Sequence, residues 1–336
     1  MPRRTAEFDL QSDMYFASGS AYPQLAEATA ASMGVKLGAI GLKGFPNGER
    51  YVRLDESVRQ RHAVLMQSFP HTSELDINAA FVELLLMAQA ARLSSADEIT
   101  LIMPKMPYDR QDRQVGGREA VGAAAIMQAL KDAGADRLVT VDMHSSQTAA
   151  GFNDPVDVLP AKYLIFEALK EQVAGRCDDF VVVSPDAGRA GASEWYAEGL
   201  GVDLVHMPKR RDPRNPGRIS RPDYVNDVDG RVCLITDDMI DTAGTLQSAA
   251  VILDKSGASG VFAAATHGIF SDPAFKRLDD SPIQKLIVTN TLPTERAEAA
   301  LGNRLQVLDI APTLGEAVTR IVSGGSLSEL FGGSVY

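Results

Sequence analysis

The chain has 336 residues, 45% of them apolar, and a formal charge of −11, which allows two domains with ordinary cores and argues against general nucleic-acid binding. A polyanionic small substrate would need cations gathered locally or a metal ion. No stretch approaches the ~20 apolar residues of a membrane span, residues 1–20 lack a signal-like apolar core, and two unframed cysteines, Cys177 and Cys233, point to a reducing, cytoplasmic setting.

In chain order, residues 50–54 read as a strand that, with its neighbours, adds antiparallel structure. Apolar runs at 62–67, 99–103, 138–141, 180–183, 203–207, 232–236, 261–266, 286–289 and 305–308 read as buried strands. Helical patterns fall at 73–92, 117–133, 160–172, 188–198, 244–255 and 313–322. Within the first of these, residues 81–93 carry Glu83 and Arg92 and read as an amphipathic helix. Buried strands alternating with helices predict an α/β chain of two similar domains, each a mostly parallel sheet flanked by helices. The boundary is placed after residue 157, giving 1–157 and 158–336, with the C-terminal segment free to pack back on the first domain. An internal echo fits this division: Leu138-Val139-Thr140-Val141-Asp142-Met143 resembles Cys233-Leu234-Ile235-Thr236-Asp237-Asp238-Met239.

The most informative segment runs from Val232 to Leu246. An apolar strand leads into Asp237 and Asp238, then into Asp241, Thr242, Ala243, Gly244 and Thr245, where a helix begins. Small residues at a helix start let backbone N–H groups approach a phosphate closely. Carboxylates beside such a pocket repel phosphate unless they hold sugar hydroxyls or a metal ion. A phosphorylated sugar meets both conditions, and the absence of a Gly-x-x-x-x-Gly-Lys pattern disfavours a P-loop kinase.

This segment resembles the phosphoribosyl diphosphate-binding motif shared by phosphoribosyltransferases and ribose-phosphate diphosphokinases. The form Asp-Asp-Met-Ile-Asp-Thr-Ala-Gly-Thr is close to the diphosphokinase version, which usually has Gly in place of Ala243. Further segments resemble the same family. They are Phe45-Pro46-Asn47-Gly48-Glu49; Pro107-Tyr108-Asp109-Arg110-Gln111-Asp112-Arg113; Val141-Asp142-Met143-His144; Ser184-Pro185-Asp186-Ala187-Gly188; and the basic stretch from Pro208 to Arg218. Taken alone, each has a plain alternative: a Pro/Gly turn, a solvated charged turn, a structural histidine, a helix cap, a solvated basic loop. Their shared order and spacing is what makes the resemblance specific. It thins after Arg113, where Gln114-Val115-Gly116-Gly117-Arg118 departs from the family pattern and leaves control by ADP or phosphate open, and at Arg189, where a second Gly is common.

The resemblance implies a phosphoribosyltransferase-like fold and transfer of the β,γ-diphosphoryl group of ATP to ribose 5-phosphate. It places Lys209 and Arg211 as catalytic, and Phe45, Asn47, Glu49, Arg110, Gln111 and His144 on ATP. Ribose 5-phosphate falls to Arg211, Asp237, Asp238, Asp241, Thr242, Ala243, Gly244 and Thr245. Mg²⁺ is the implied cofactor, on His144 and Asp186. Homodimers with shared sites, often built into hexamers, are also implied. The rival readings are a phosphoribosyltransferase and a non-catalytic regulatory subunit of the same family.

Overall fold

The computed structural model describes residues 9–70, 75–185, 187–207, 210–211, 219–220 and 224–333, so Asp186 and Lys209 lie outside the described residues. The chain divides into two compact units, one formed by residues up to Pro160 together with those from Asp309 onward, the other by Ala161–Leu308.

The first unit holds strands β1 (Met14–Ser18), β2 (Ile40–Gly44), β3 (Arg50–Leu54), β4 (His62–Met66), β5 (Glu98–Met103), β6 (Arg137–Val141) and β7 (Val156–Leu159). Five of them form a parallel sheet in the order β1-β4-β5-β6-β7, while β2 and β3 pair as a separate antiparallel hairpin. Helices cover the sheet, which is why β4 and β5 are apolar on both faces. The helix Ile77–Leu93 begins where the Asp76 carboxylate accepts from Ala79 N at 2.8 Å, and it buries Ala80, Leu84, Met87 and Ala88. Glu83 lies on that same buried face and has no exposed surface, so the helix is not the simple amphipathic one its pattern suggests. The next helix, Gly122–Asp132, starts later than the sequence reading places it. Gly116 and Glu119 close a turn there instead, with the Glu119 carboxylate accepting from Val115 N at 2.9 Å and Gly116 N at 3.0 Å.

The C-terminal helix Ala311–Ser323 packs on Pro23–Ser32 within this first unit. Gly315 permits the contact: a Cβ there would fall 2.1 Å from Ser32 Oγ. Ser32 Oγ also donates to Ala311 O at 3.4 Å.

The second unit holds β8 (Phe180–Ser184), β9 (Asp203–His206), β10 (Arg210–Arg211), β11 (Ile219–Ser220), β12 (Val232–Ile240), β13 (Gly260–Gly268), β14 (Ile283–Thr289) and β15 (Leu305–Leu308). Six form a parallel sheet in the order β15-β14-β13-β12-β8-β9; β10 and β11 pair antiparallel on their own. Its core includes Val181, Val183, Cys233, Ile235, Ala249, Leu253 and Leu286. Burial pushes the Cys233 thiol up to about 12, so it is inert packing, while Cys177 is exposed; both thiols are free. Strand order reverses between β8 and β12, which is where an open α/β sheet offers a crevice beyond its carboxyl ends.

Among the described residues no helix is long and apolar enough to cross a membrane.

Candidate active site

The second unit brings the acidic and small-residue segment to that crevice. The sequence reading ends the strand before Asp237, but β12 continues to Ile240. The reason is its asymmetric pairing. On one side β12 pairs with β8 only as far as Ile235, whereas on the other it pairs with β13 through Ile240. Asp237 and Asp238 therefore extend past the end of β8 on a backbone still held by β13.

Asp241, Thr242 and Ala243 then turn the chain into the helix Gly244–Lys255. Ala243 has φ 57°, ψ 8°, a left-handed conformation that disfavours a Cβ by about 1–2 kcal/mol. Its methyl group is buried, which offsets part of that. Its N-cap residue, Ala243, makes no side-chain capping bond, so the first turn keeps backbone N–H groups and their partial positive charge at the carboxyl end of β12. Arg277, from the helix Ala274–Asp279, donates to Thr242 O at 2.9 Å and lies against Gly244, where a Cβ would meet its Nη1 at 3.0 Å. Backbone amides, the Thr242 and Thr245 side chains and a nearby guanidinium are thus gathered at one turn, the kind of group a helix start offers to an anion.

The paired acids have a partner that the sequence does not announce. Arg189 Nε lies 3.0 Å from Asp237 Oδ1, and Arg189 Nη2 forms a second ion pair with Asp238 Oδ1. Asp238 N also donates to Asp237 Oδ1 at 2.9 Å. Burial, outweighing the lowering by Arg189, pushes the Asp237 carboxyl up to about 6.

In the first unit, Arg110 and Gln111 follow β5, and His144 follows β6, at the carboxyl ends of adjacent parallel strands. Arg110 and His144 are exposed. The segment around Arg110 is not a solvated turn throughout, because Asp109 is buried and accepts from Lys105 Nζ at 3.0 Å. Gln111 is fixed by its backbone, Gln111 N donating to Tyr108 O at 2.9 Å and Gln111 O accepting from Ala123 N at 3.1 Å. Tyr108 and Asp142 both adopt positive φ, 60° and 38°, beside these residues.

Phe45, Asn47 and Glu49 sit at the exposed tip of the β2–β3 hairpin. Phe45 N donates to Glu49 O at 2.8 Å, and Gly48, at φ 91°, closes the turn. Lys43 Nζ lies 5.1 Å from the Phe45 ring centre and 4.6 Å from that of Tyr51. The loop end of the hairpin is tied, through Arg50, to a buried cluster that sequence reasoning missed. Glu83 accepts from Arg50 Nε at 2.9 Å, Ser20 N at 2.7 Å and Gln67 Nε2 at 2.8 Å. The backbone of Arg211 lies in β10, while Asp186 and Lys209 fall outside the described residues.

Among the described residues, no three His, Cys, Asp or Glu side chains are grouped to hold a metal ion. Mg²⁺ ordinarily binds through one or two carboxylates together with phosphate oxygens and water. His144 is exposed at a strand end and could add one ligand to such a set, while Asp237 and Asp238 each have an oxygen engaged by the Arg189 guanidinium.

Residues 14–134 match the N-terminal domain of ribose phosphate pyrophosphokinase, and 180–332 match the phosphoribosyl synthetase-associated domain. The chain is 40% identical over 326 residues to a ribose-phosphate pyrophosphokinase of Mycobacterium tuberculosis, covering 97% of this chain and 98% of that one. It is 41% identical to one from Streptomyces coelicolor, covering 95% and 96%. The crystal structure of phosphoribosylpyrophosphate synthetase from Mycobacterium smegmatis matches with a TM-score of 0.83 and 40% identity, over 93% of this chain and all of that one. An open parallel α/β sheet with an acidic and small-residue turn at its switch point thus comes with full-length likeness to one group of enzymes. The chain belongs to the ribose-phosphate pyrophosphokinase family.

Proposed function

We propose that this chain transfers the β,γ-diphosphoryl group of ATP to the C1 hydroxyl of ribose 5-phosphate, giving phosphoribosyl diphosphate and AMP. The observation that carries this reading is the uncapped helix Gly244–Lys255 opening from a small-residue turn beside two ion-paired acids at the carboxyl edge of β12.

The 5-phosphate fits the Asp241–Thr245 cradle, where the Gly244 and Thr245 amides and the Thr242 and Thr245 hydroxyls can donate. Asp237 and Asp238 suit the ribose hydroxyls as acceptors. Arg110, Gln111 and His144 are the nucleotide residues of the first unit, and Phe45, Asn47 and Glu49 present an exposed aromatic and polar tip for adenine. The exposure of that tip fits a homodimer in which it serves a neighbouring chain, the unit from which a hexamer would be built.

The C1 oxygen attacks the β-phosphorus in line, a new C1–O–P bond forms, and the bond from that phosphorus to the α,β-bridging oxygen breaks. AMP leaves with the bridging oxygen, and the hydroxyl proton is lost to solvent. Lys209 and Arg211 neutralise the charge on the transferring group, and no covalent enzyme intermediate is needed. Mg²⁺ bound to the triphosphate supplies further charge neutralisation, with His144 and Asp186 as the residues that would hold it.

The test is incubation of purified protein with Mg²⁺, ATP and ribose 5-phosphate, with no purine or pyrimidine base present, and ³¹P NMR of the products. Equimolar AMP and phosphoribosyl diphosphate support the proposal. A requirement for a base would favour a phosphoribosyltransferase. ATP binding without AMP, with turnover appearing only on adding a related enzyme, would favour a regulatory subunit.

A further inference from the structure

The contact between Arg189 and the acidic pair marks the site in the reading above but is given no chemical task there, and it stands at the switch point of the second sheet. Arg189 stands at the N-cap position of the helix Ala190–Leu200, shortly after β8, and its side chain, making no capping bond, reaches the neighbouring strand β12. Its guanidinium meets both carboxylates, Asp237 Oδ1 at 3.0 Å through Nε and Asp238 Oδ1 through Nη2. The Asp238 side chain is only 8% exposed and that of Arg189 27%, so this is not a loose surface pair. Two adjacent carboxylates in a partly dry crevice repel each other, and a planar fork presenting two parallel donors is well matched to holding them side by side.

We infer that Arg189 is a positioning residue: its guanidinium is the resident counter-charge of Asp237 and Asp238, so the sugar-binding acids of this chain need no divalent cation of their own. The inference rests on the reading of Asp241–Thr245 as the sugar-phosphate cradle, but its metal claim can be tested apart from it. A guanidinium and a divalent ion bound to the same carboxylate oxygens exclude each other. Removing Arg189 therefore takes the guanidinium off both carboxylates and lets a divalent ion compete for those oxygens. Arg189 supplies positive charge without occupying the phosphate cradle, where Arg277 and the helix N–H groups already lie.

The experiment has two arms, each on the full chain. In the first, Mn²⁺ binding to nucleotide-free protein is counted by electron paramagnetic resonance for the parent, Arg189→Ala, Arg189→Lys and the double variant Arg189→Ala/Asp238→Asn. Arg189→Ala should gain one Mn²⁺ site that the parent, Arg189→Lys and the double variant lack. Equal Mn²⁺ uptake by the parent and Arg189→Ala would overturn the inference.

In the second arm, ribose 5-phosphate binding is measured by calorimetry in chelator and then in excess Mg²⁺. Arg189→Ala should lose about tenfold or more in affinity in chelator, as expected for removing charge-assisted organisation of a partly buried site, and recover most of it with Mg²⁺, while the parent changes little. A loss that Mg²⁺ does not repair would mark Arg189 as merely structural and overturn the inference. Should the parent bind no ribose 5-phosphate at all, the cradle reading fails, and the Mn²⁺ count still decides the counter-charge claim. If circular dichroism shows Arg189→Ala unfolded, Arg189→Gln takes its place, with the same outcomes expected.

Discussion

Replacing Arg50 by Ala isolates the buried cluster that anchors the β2–β3 hairpin. Glu83 has no exposed surface, and Arg50, 15% exposed, is its cation. In Arg50→Ala the carboxylate keeps Ser20 N at 2.7 Å and Gln67 Nε2 at 2.8 Å but loses both guanidinium bonds. Breaking a buried pair by removing one partner costs about 3–5 kcal/mol, because the remaining charge stays buried. The surviving neutral donors place this case near the lower end, about 3 kcal/mol. For a unit of this size that is a fall in melting temperature of roughly 6–12 °C. The exposed Arg53–Asp55 pair on the same hairpin is the control, and Arg53→Ala should shift stability by no more than about 0.5 kcal/mol. Replacing both Arg50 and Glu83 by Met should recover much of the loss, since no buried charge is then stranded. Urea and thermal unfolding followed by circular dichroism read all four proteins. Because Arg50 adjoins the loop bearing Phe45, Asn47 and Glu49, Arg50→Ala should also raise KM for ATP more than KM for ribose 5-phosphate. An Arg50→Ala protein within about 1 kcal/mol of the parent would refute the view that this pair is buried and mutually dependent.

Three further outcomes are expected. Ala243→Val places a β-branched side chain at φ 57° and should lower stability by about 2 kcal/mol or more, whereas Ala243→Gly should stay within about 1 kcal/mol, relief of strain being offset by a lost methyl group and a more flexible unfolded chain; equal behaviour of the two in urea unfolding would contradict the left-handed turn. Lys209→Ala should lower kcat about 10²–10³-fold, and parental turnover in steady-state assays would remove it from the catalytic set. The Asp237 carboxyl should titrate near pH 6 by ¹³C NMR against an ordinary 3.8. Its folded-state pKa is raised, so the stability it contributes is complete below pH 4 and is lost as pH rises through 6; Asp237→Asn should therefore gain on the parent across that window, and a constant difference between the two would show that the shift is absent.

The strands that sequence pattern revealed are those whose burial is continuous. Phe180–Ser184 is buried at every position, and such a run between turn residues has few other readings. The helix Gly244–Lys255 matches its reading at both ends because a small-residue turn and a terminal Lys-Ser-Gly bound it. The short strand β1, Met14–Ser18, is buried throughout yet was missed, since it is five residues long and ends in Ala and Ser, which carry little strand signal. The edge strand β7, Val156–Leu159, was hidden by its length and by Asp157, which pairs with Arg137 on the adjacent strand. The end of β12 was misplaced because pairing with β13 outlasts pairing with β8, a property of neighbours and not of the residues themselves.

Site chemistry divides the same way. The Asp237–Thr245 segment was legible because all its parts are contiguous. The Arg50–Glu83 pair joins residues 33 positions apart, and no local pattern announces it. For Arg189 the signal was half present: an arginine stands where the family commonly has glycine, but its reach to Asp237 and Asp238 depends on β8 and β12 lying side by side.

Isotope tracing tests the central claim most directly. ATP carrying ¹⁸O in the α,β-bridging position is turned over with unlabelled ribose 5-phosphate and the products are resolved by ³¹P NMR. Attack at the β-phosphorus predicts that all the label leaves in AMP and none enters the sugar diphosphate. Label in the diphosphoryl product, or ADP in place of AMP, would contradict the account.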